Sequence, residues 1–200
     1  MSALKRALDV TCGCALIAVL APLGLGCAFA ILATSMGPVF FRQPRVGMRG
    51  VAFTLNKFRT MRCLPVDDTA RQFQPGDDSR VTRVGAFLRR SKLDELPQLW
   101  NVVRGDMSLV GPRPEVARWT QIYPDTWEIV HSVRPGLTDL ASIEYRNEES
   151  LLAMADDPDA MYRDVILPRK LQLAVQYVND RSLALDLKIL ARTVWEVLAR

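Results

Sequence analysis

Between Val10 and Phe41 the chain has no Asp, Glu, Lys, Arg or His, and charged positions resume only at Arg42. At ~1.5 Å per residue, a helix of this length covers the ~30 Å hydrocarbon core of a bilayer. Two features complicate a simple span. Pro22, followed by Gly24 and Gly26, removes a backbone donor and weakens the centre of the run, which favours a bend. Cations also flank both ends, Lys5 and Arg6 before and Arg42, Arg45 and Arg49 after, and the positive-inside tendency draws both flanks to the cytoplasmic side. A helix broken near Ala21-Pro22 meets both conditions, because each half is too short to span and the chain returns to the face it left. A single spanning helix and a secretory signal cut after Ala28-Phe29-Ala30 are the alternatives. The pattern favours a re-entrant helix–break–helix over residues 1–38 and a cytoplasmic domain over residues 39–200.

Past Gly37-Pro38 the pattern shortens. Ala52–Phe58 alternates as a strand does and pairs plausibly with Val39–Phe41 as a hairpin. Residues 64–79, with two Asp-Asp pairs and Pro75-Gly76, read as a polar loop. Val84–Leu88 is a short apolar element ending in Arg89-Arg90. A helix is expected from about Leu93 to Arg104, closed by Gly105, with Pro97 admissible only in its first turn. Leu109-Val110 reads as extended before the rigid turn Gly111-Pro112-Arg113-Pro114, and a helix follows over Glu115–Ile122. Pro135-Gly136 marks a turn. Amphipathic helices are expected at Pro168–Val178 and Leu183–Leu198. The last places Leu187, Leu190, Ala191, Val194 and Val197–Leu198 on one face, and core packing and membrane-interface burial account for such a stripe equally well. The expected class is α+β: a monotopic membrane protein whose cytoplasmic catalytic domain is small, mixed and mainly helical, with amphipathic helices at the interface.

The net charge of +4 and a pI near 9.0 suit an anionic membrane surface or a phosphorylated substrate. No basic–aromatic module of the kind that binds nucleic acid is present in the sequence, and nucleic acid is not an expected partner. Cys12 and Cys14 resemble half a metal site, but with His131 as the only histidine nothing completes it, and the cysteines read as small buried thiols of a cytoplasmic protein.

The chemistry concentrates in Ser91-Lys92-Leu93-Asp94-Glu95-Leu96-Pro97-Gln98-Leu99, just after Arg89-Arg90. Acids in a first helical turn are ordinary caps, where they meet unpaired amides and the helix dipole. Their company argues for more: Lys57 and Arg59 at a strand end, Arg89 before the acids, Arg113 between two prolines, and Arg134 before Pro135-Gly136. Pro- and Gly-rich turns present functional side chains, and arginine forks clamp phosphates. A carboxylate can attack phosphorus once guanidinium groups and a divalent cation offset the repulsion. Mg²⁺, a hard ion content with one or two carboxylates plus substrate phosphate, suits such a site, with Glu95 as its ligand.

These residues, in order, resemble the monotopic polyprenol-phosphate phosphoglycosyl transferases, or bacterial sugar transferases. The resemblance rests on Lys5-Arg6-Ala7-Leu8-Asp9, Phe41–Gly47, Lys57-Phe58-Arg59-Thr60-Met61, Arg80–Gly85, Leu93–Leu99, Gly105–Pro114 and Arg134–Thr138. It implies a re-entrant helix broken at Pro22 and an active site on the cytoplasmic face of the bacterial inner membrane. It further implies that Asp94 attacks the β-phosphate of a UDP-sugar, releasing UMP, and that polyprenyl (typically undecaprenyl) phosphate then takes the phosphosugar. Glu95 matches the acid expected near Mg²⁺; Lys57, Arg89 and Arg113 match basic positions around the nucleotide and phosphates, and Arg59, Arg134 and Arg146 are counted with them as candidate substrate-binding residues. After Thr138 the chain departs from the common Gly-Trp-Ala-Gln-Val-Asn-Gly-Arg, running Asp139-Leu140-Ala141-Ser142-Ile143-Glu144-Tyr145-Arg146; Arg146 keeps its place, but no sugar preference follows. The resemblance is to the minimal catalytic form, and a homodimer is left open. A non-catalytic module binding anionic lipid through its arginines, and a hydrolase of UDP-sugars, are the competing classes.

Overall fold

The computed structural model describes residues 3–63 and 79–199. The loop expected at 64–79 therefore lies, apart from Ser79, outside the described residues. The apolar run forms one helix, α1 (Ala3–Thr34). Its inward positions follow a spacing of three and four: Asp9, Gly13, Cys27 and Ile31 are buried, and Ile17 and Leu20 pack partly buried among them. A side chain on Gly13 would press on Val103 at 3.2 Å, so its smallness sets how closely α1 approaches the body. The outward positions Val19, Leu25, Phe29 and Leu32 are exposed and apolar. Of the thiols expected to be buried, Cys27 is, on the inward face of α1, whereas Cys12, Cys14 and Cys63 are exposed.

The expected break at Pro22 does not end this helix. Proline removes one N–H donor, and a helix can absorb the loss by bending while the turns on either side keep their bonds. Contacts at both ends also hold α1 in place. Lys5 Nζ donates to Val110 O (3.2 Å) and Asp186 Oδ2 (2.6 Å), Arg6 donates to Val102 O and Val103 O, and Asp9 accepts from Ser108 Oγ and Leu109 N. At the other end Arg59 donates to Ser35 O (2.8 Å) and Met36 O. Both ends of α1 thus meet the same protein body.

The expected hairpin forms and is longer than anticipated: β1 (Phe40–Val46) pairs antiparallel with β2 (Ala52–Phe58), from Phe40↔Phe58 to Val46↔Ala52. α2 (Arg83–Arg90) follows, capped by Thr82, whose hydroxyl accepts from Gly85 N at 2.8 Å. Gly85 is obligatory, since a Cβ there would lie 1.9 Å from Thr60 O. The helix anticipated over Leu93–Arg104 is two elements. Leu93–Glu95 form a 3₁₀ turn, and α3 (Gln98–Arg104) starts only after Pro97, which flanks it instead of sitting in its first turn. Gly105, at φ 95°, ends α3 as expected.

β3 (Ser108–Val110) pairs in parallel with β4 (Gly136–Thr138), so the turn at Pro135-Gly136 opens a strand. α4 (Ala117–Thr120) is shorter than the expected Glu115–Ile122 helix, and α5 (Pro124–Val130) follows. Short helices α6 (Leu140–Glu144), α7 (Glu148–Ala153) and α8 (Pro158–Met161) lead through a π-helical turn, Tyr162–Ile166, into α9 (Leu167–Asp180) and α10 (Leu183–Leu198). One core gathers α4, α5, the π turn and α9 around Trp119, Trp127 and Ile166; another gathers β2, α3, β3 and α10 around Val102 and Met107. On α10 the core side is Asp186 and Ile189, while Leu187, Ala191 and Val194 of the anticipated stripe face outward beside exposed Trp195.

Candidate active site

The acids sit on the 3₁₀ turn between α2 and α3, and both are buried, Asp94 at 7 % and Glu95 at 9 % exposure. Glu95 is paired with two cations. Lys57 Nζ, from the end of β2, donates to its Oε1 at 3.0 Å; Arg113 donates to the same oxygen and to Oε2 at 3.2 Å. Lys57 reaches Asp94 only at 4.0 Å, and Asp94 Oδ1 is buried without a hydrogen-bond partner among the described residues.

This asymmetry separates two adjacent carboxyls electrostatically. Burial pushes Asp94 above its ordinary value near 3.8, with Lys57 pulling down and Glu95 pushing up. Burial opposes the charge of Glu95 too, but Arg113 and Lys57 outweigh it and hold this carboxyl well below its usual range. Titratable neighbours driven apart in this way mark sites where two acids have different tasks. The Asp94 carboxylate is poorly solvated and half satisfied, which suits a nucleophile; Glu95 is a fixed anchor for two cations.

Arg113 is held by its backbone as well. Its N–H donates to Asp139 Oδ2 at 3.0 Å, while Asp139 Oδ1 caps α6 through Ser142 N at 2.7 Å. Gly136 makes this turn possible: its N–H donates to Pro112 O at 2.9 Å, and a Cβ there would fall 2.1 Å from Gly111 N.

Of the residues singled out in the sequence, the structure brings together Lys57, Asp94, Glu95 and Arg113. Arg89 stands on the last turn of α2, its Nε donating to Thr60 Oγ1 at 3.0 Å and its NH1 3.4 Å from Glu149 Oε1. The other three arginines have engagements elsewhere. Arg59 closes the C-terminal end of α1, Arg134 Nε donates to Gly105 O beyond α3, and Arg146 pairs with Glu196 of α10 at 2.6 Å. Pro22 lies within α1. Sequence reasoning missed Asp139, although an Asp three residues before a free helical N–H is a readable cap signature. It also missed the network of Lys5, Asp9, Ser108 and Asp186, whose members are 99 residues or more apart in the pairs they form and leave no local signal.

For a metal, the described residues contain no cluster of three His, Cys, Asp or Glu side chains. The donor set is the two carboxylates, of which Asp94 Oδ1 has no hydrogen bond and Glu95 is already neutralised by Lys57 and Arg113. That fits an ion completed by substrate phosphate, not a resident metal in an all-protein cage.

The family model for bacterial sugar transferases matches residues 1–200. The chain belongs to the bacterial sugar transferase family. Among relatives of this sugar transferase is the UDP-glucose:undecaprenyl-phosphate glucose-1-phosphate transferase of Caulobacter vibrioides, 42 % identical over 95 % of this chain and 68 % of the relative. An uncharacterised sugar transferase of Bacillus subtilis is 39 % identical over 98 % of this chain and 87 % of its own length. The UDP-N-acetylgalactosamine-undecaprenyl-phosphate N-acetylgalactosaminephosphotransferase of Aeromonas hydrophila is 35 % identical over 98 % of this chain but only 44 % of its own. The sugar transferase spans less than half the length of several relatives it matches.

Proposed function

We propose that this sugar transferase moves a phosphosugar from a UDP-sugar to a polyprenyl phosphate, with undecaprenyl phosphate as the acceptor, in two displacements at Asp94. The observation that carries the reading is the unpartnered, buried Asp94 Oδ1 beside a Glu95 that holds Lys57 and Arg113 in place. In the first displacement a carboxylate oxygen of Asp94 attacks the β-phosphorus. The bond from that phosphorus to the bridging oxygen breaks, and UMP leaves with the electron pair. In the second, an oxygen of the lipid phosphate attacks the same phosphorus and the Asp94 carboxylate is released. Lys57 and Arg113 offset charge on the phosphoryl oxygens, and Glu95 keeps them aimed. Mg²⁺, held by Glu95 and substrate phosphate oxygens, would supply further charge neutralisation when bound.

The membrane part of the reading rests on α1 and α10. Their outward faces, Val19, Leu25, Phe29 and Leu32 on one and Leu187, Val194 and Trp195 on the other, are apolar and exposed, and suit burial in the cytoplasmic leaflet of the inner membrane. Residues 1–38 then supply the re-entrant element and 39–200 the catalytic part, with both flanks of α1 on the cytoplasmic side. The sugars named for the relatives differ, so the donor is assigned only as a UDP-sugar.

Purified protein incubated with UDP-glucose or UDP-N-acetylgalactosamine and undecaprenyl phosphate should release UMP, and omitting the lipid should leave a phosphosugar on the Asp94 peptide by mass spectrometry. Sustained UMP release without lipid would favour a hydrolase. No UMP release with any UDP-sugar would favour a non-catalytic lipid-binding module.

A further inference from the structure

The loop between α2 and the acids contains a backbone outlier. Lys92 adopts φ 58°, ψ 14°, the left-handed region, just past the C-cap Ser91 of α2. Its N–H donates back to Arg89 O at 3.1 Å and its carbonyl accepts from Glu95 N at 3.2 Å, so this one residue turns the chain from α2 into the acid-bearing turn. Glycine is the residue this position favours, because a Cβ is penalised there. A lysine in its place points to a use for the side chain, since strained backbone persists where function requires it.

The surroundings suggest that use. Lys57 and Arg113 are bound to Glu95. Lys92 is exposed, and its ammonium has no hydrogen bond or ion pair among the described residues. Its charge nevertheless belongs to the site. Crowding by protein lowers the ammonium below the usual lysine value, Glu95 and Asp94 attract it, and Arg113 and Lys57 repel it. It is an uncommitted cation at the rim of a dyad whose other cations are already paired.

From the left-handed backbone that joins Lys92 to the acid-bearing turn, and from its exposed side chain without a partner among the described residues, we infer that Lys92 is a further substrate-binding residue, contacting the diphosphate of the sugar nucleotide. The inference rests on the function proposed above. On entry, the substrate supplies the anionic partner that no described residue gives Lys92, while Lys57 and Arg113 stay on Glu95. A charge-assisted contact of this kind is worth about 10- to 100-fold in kcat/KM.

The test uses the full chain in detergent or nanodiscs, with K92G and K92R. Glycine relieves the backbone while deleting the charge, so K92G should keep its thermal midpoint or raise it by about 2–4 °C. Its kcat/KM for the UDP-sugar should nonetheless fall about 10- to 100-fold, mostly through KM. UDP binding by calorimetry should weaken in parallel, and K92R should recover most of both losses. If the wild type releases UMP and K92G matches it in kcat/KM and UDP affinity, the inference is overturned and the function stands. If K92R loses as much as K92G, charge is not what the position supplies, and the inference is again overturned. A wild type that neither releases UMP nor binds UDP removes the function reading itself, and the Lys92 assignment with it.

Discussion

Two buried glutamates of this protein can be compared directly. Glu95 accepts from Lys57 and Arg113; Glu115 accepts from Arg45 and from the Tyr162 hydroxyl, with Lys170 Nζ 3.7 Å away. Burial opposes the charge on both, cations overcome it on both, and both carboxyls end below their usual range. Around Glu115 the circle is closed, since Lys170 also pairs with Glu148 at 2.7 Å and Arg45 NH1 also donates to Pro114 O at 3.0 Å. Around Glu95 it is open, because Asp94 lies alongside with an oxygen that has no partner among the described residues. Strong ion pairing by itself therefore builds scaffold; the mismatch beside it distinguishes the candidate active site.

The comparison breaks first at Asp94. Asp94→Asn should lower UMP release by about 10³-fold or more, as loss of a covalent nucleophile does, with a thermal midpoint no lower than wild type. A variant that keeps its rate would end the nucleophile assignment. At the closed centre the loss should be structural: Glu115→Gln removes the buried carboxylate that Arg45 and Lys170 share and should cost about 3–5 kcal/mol in denaturant unfolding. At the open centre Glu95→Gln should cost less stability, about 2–4 kcal/mol, because Lys57 and Arg113 keep access to water, while activity falls as well. Smaller still, Tyr162→Phe should cost about 1–2 kcal/mol and leave kcat within about threefold of wild type.

Titration separates the centres without mutation. Glu95 and Glu115 have folded-state values below their unfolded value near 4.5, so their stabilisation is present above that value and is lost as pH falls through the depressed ones. Asp94 is raised above 3.8, so its carboxylate disappears earlier on the way down. As pH falls, UMP release should drop before circular dichroism reports unfolding. Coincident transitions would contradict the separation of the two acids.

Much of this was legible in the chain because the signals are local. The alternation of Ala52–Phe58, the glycine after Arg104 and the 3.6-residue period of α10 each lie within a few residues, and the structure bears each out. Lys57, Arg113 and the two acids were singled out from a strand end, a proline-framed turn and a helix start, and the structure brings the four together. The destinations of Arg59, Arg134 and Arg146 were not legible. A guanidinium beside a turn looks the same whether it awaits phosphate or caps a helix; only the fold brings Ser35 O to Arg59 or Glu196 to Arg146. Pro97 misled for a related reason: it is compatible with a first turn, yet here it separates the 3₁₀ turn from α3 and so sets the acids apart from the helix.

The three-and-four spacing along α1 has a practical consequence for anyone handling this protein. Asp9, Gly13, Cys27 and Ile31 form a wall of the building, not a tether attached to it. Cutting the chain at Gly37 would uncover Val102, Phe58 and Leu88, and would leave Arg59 without its acceptors at Ser35 and Met36. A trimmed, water-soluble enzyme is therefore a poor goal for this scaffold. Solubility is better sought by repainting the outward positions Val19, Leu25, Phe29 and Leu32, which are exposed and face away from the protein body.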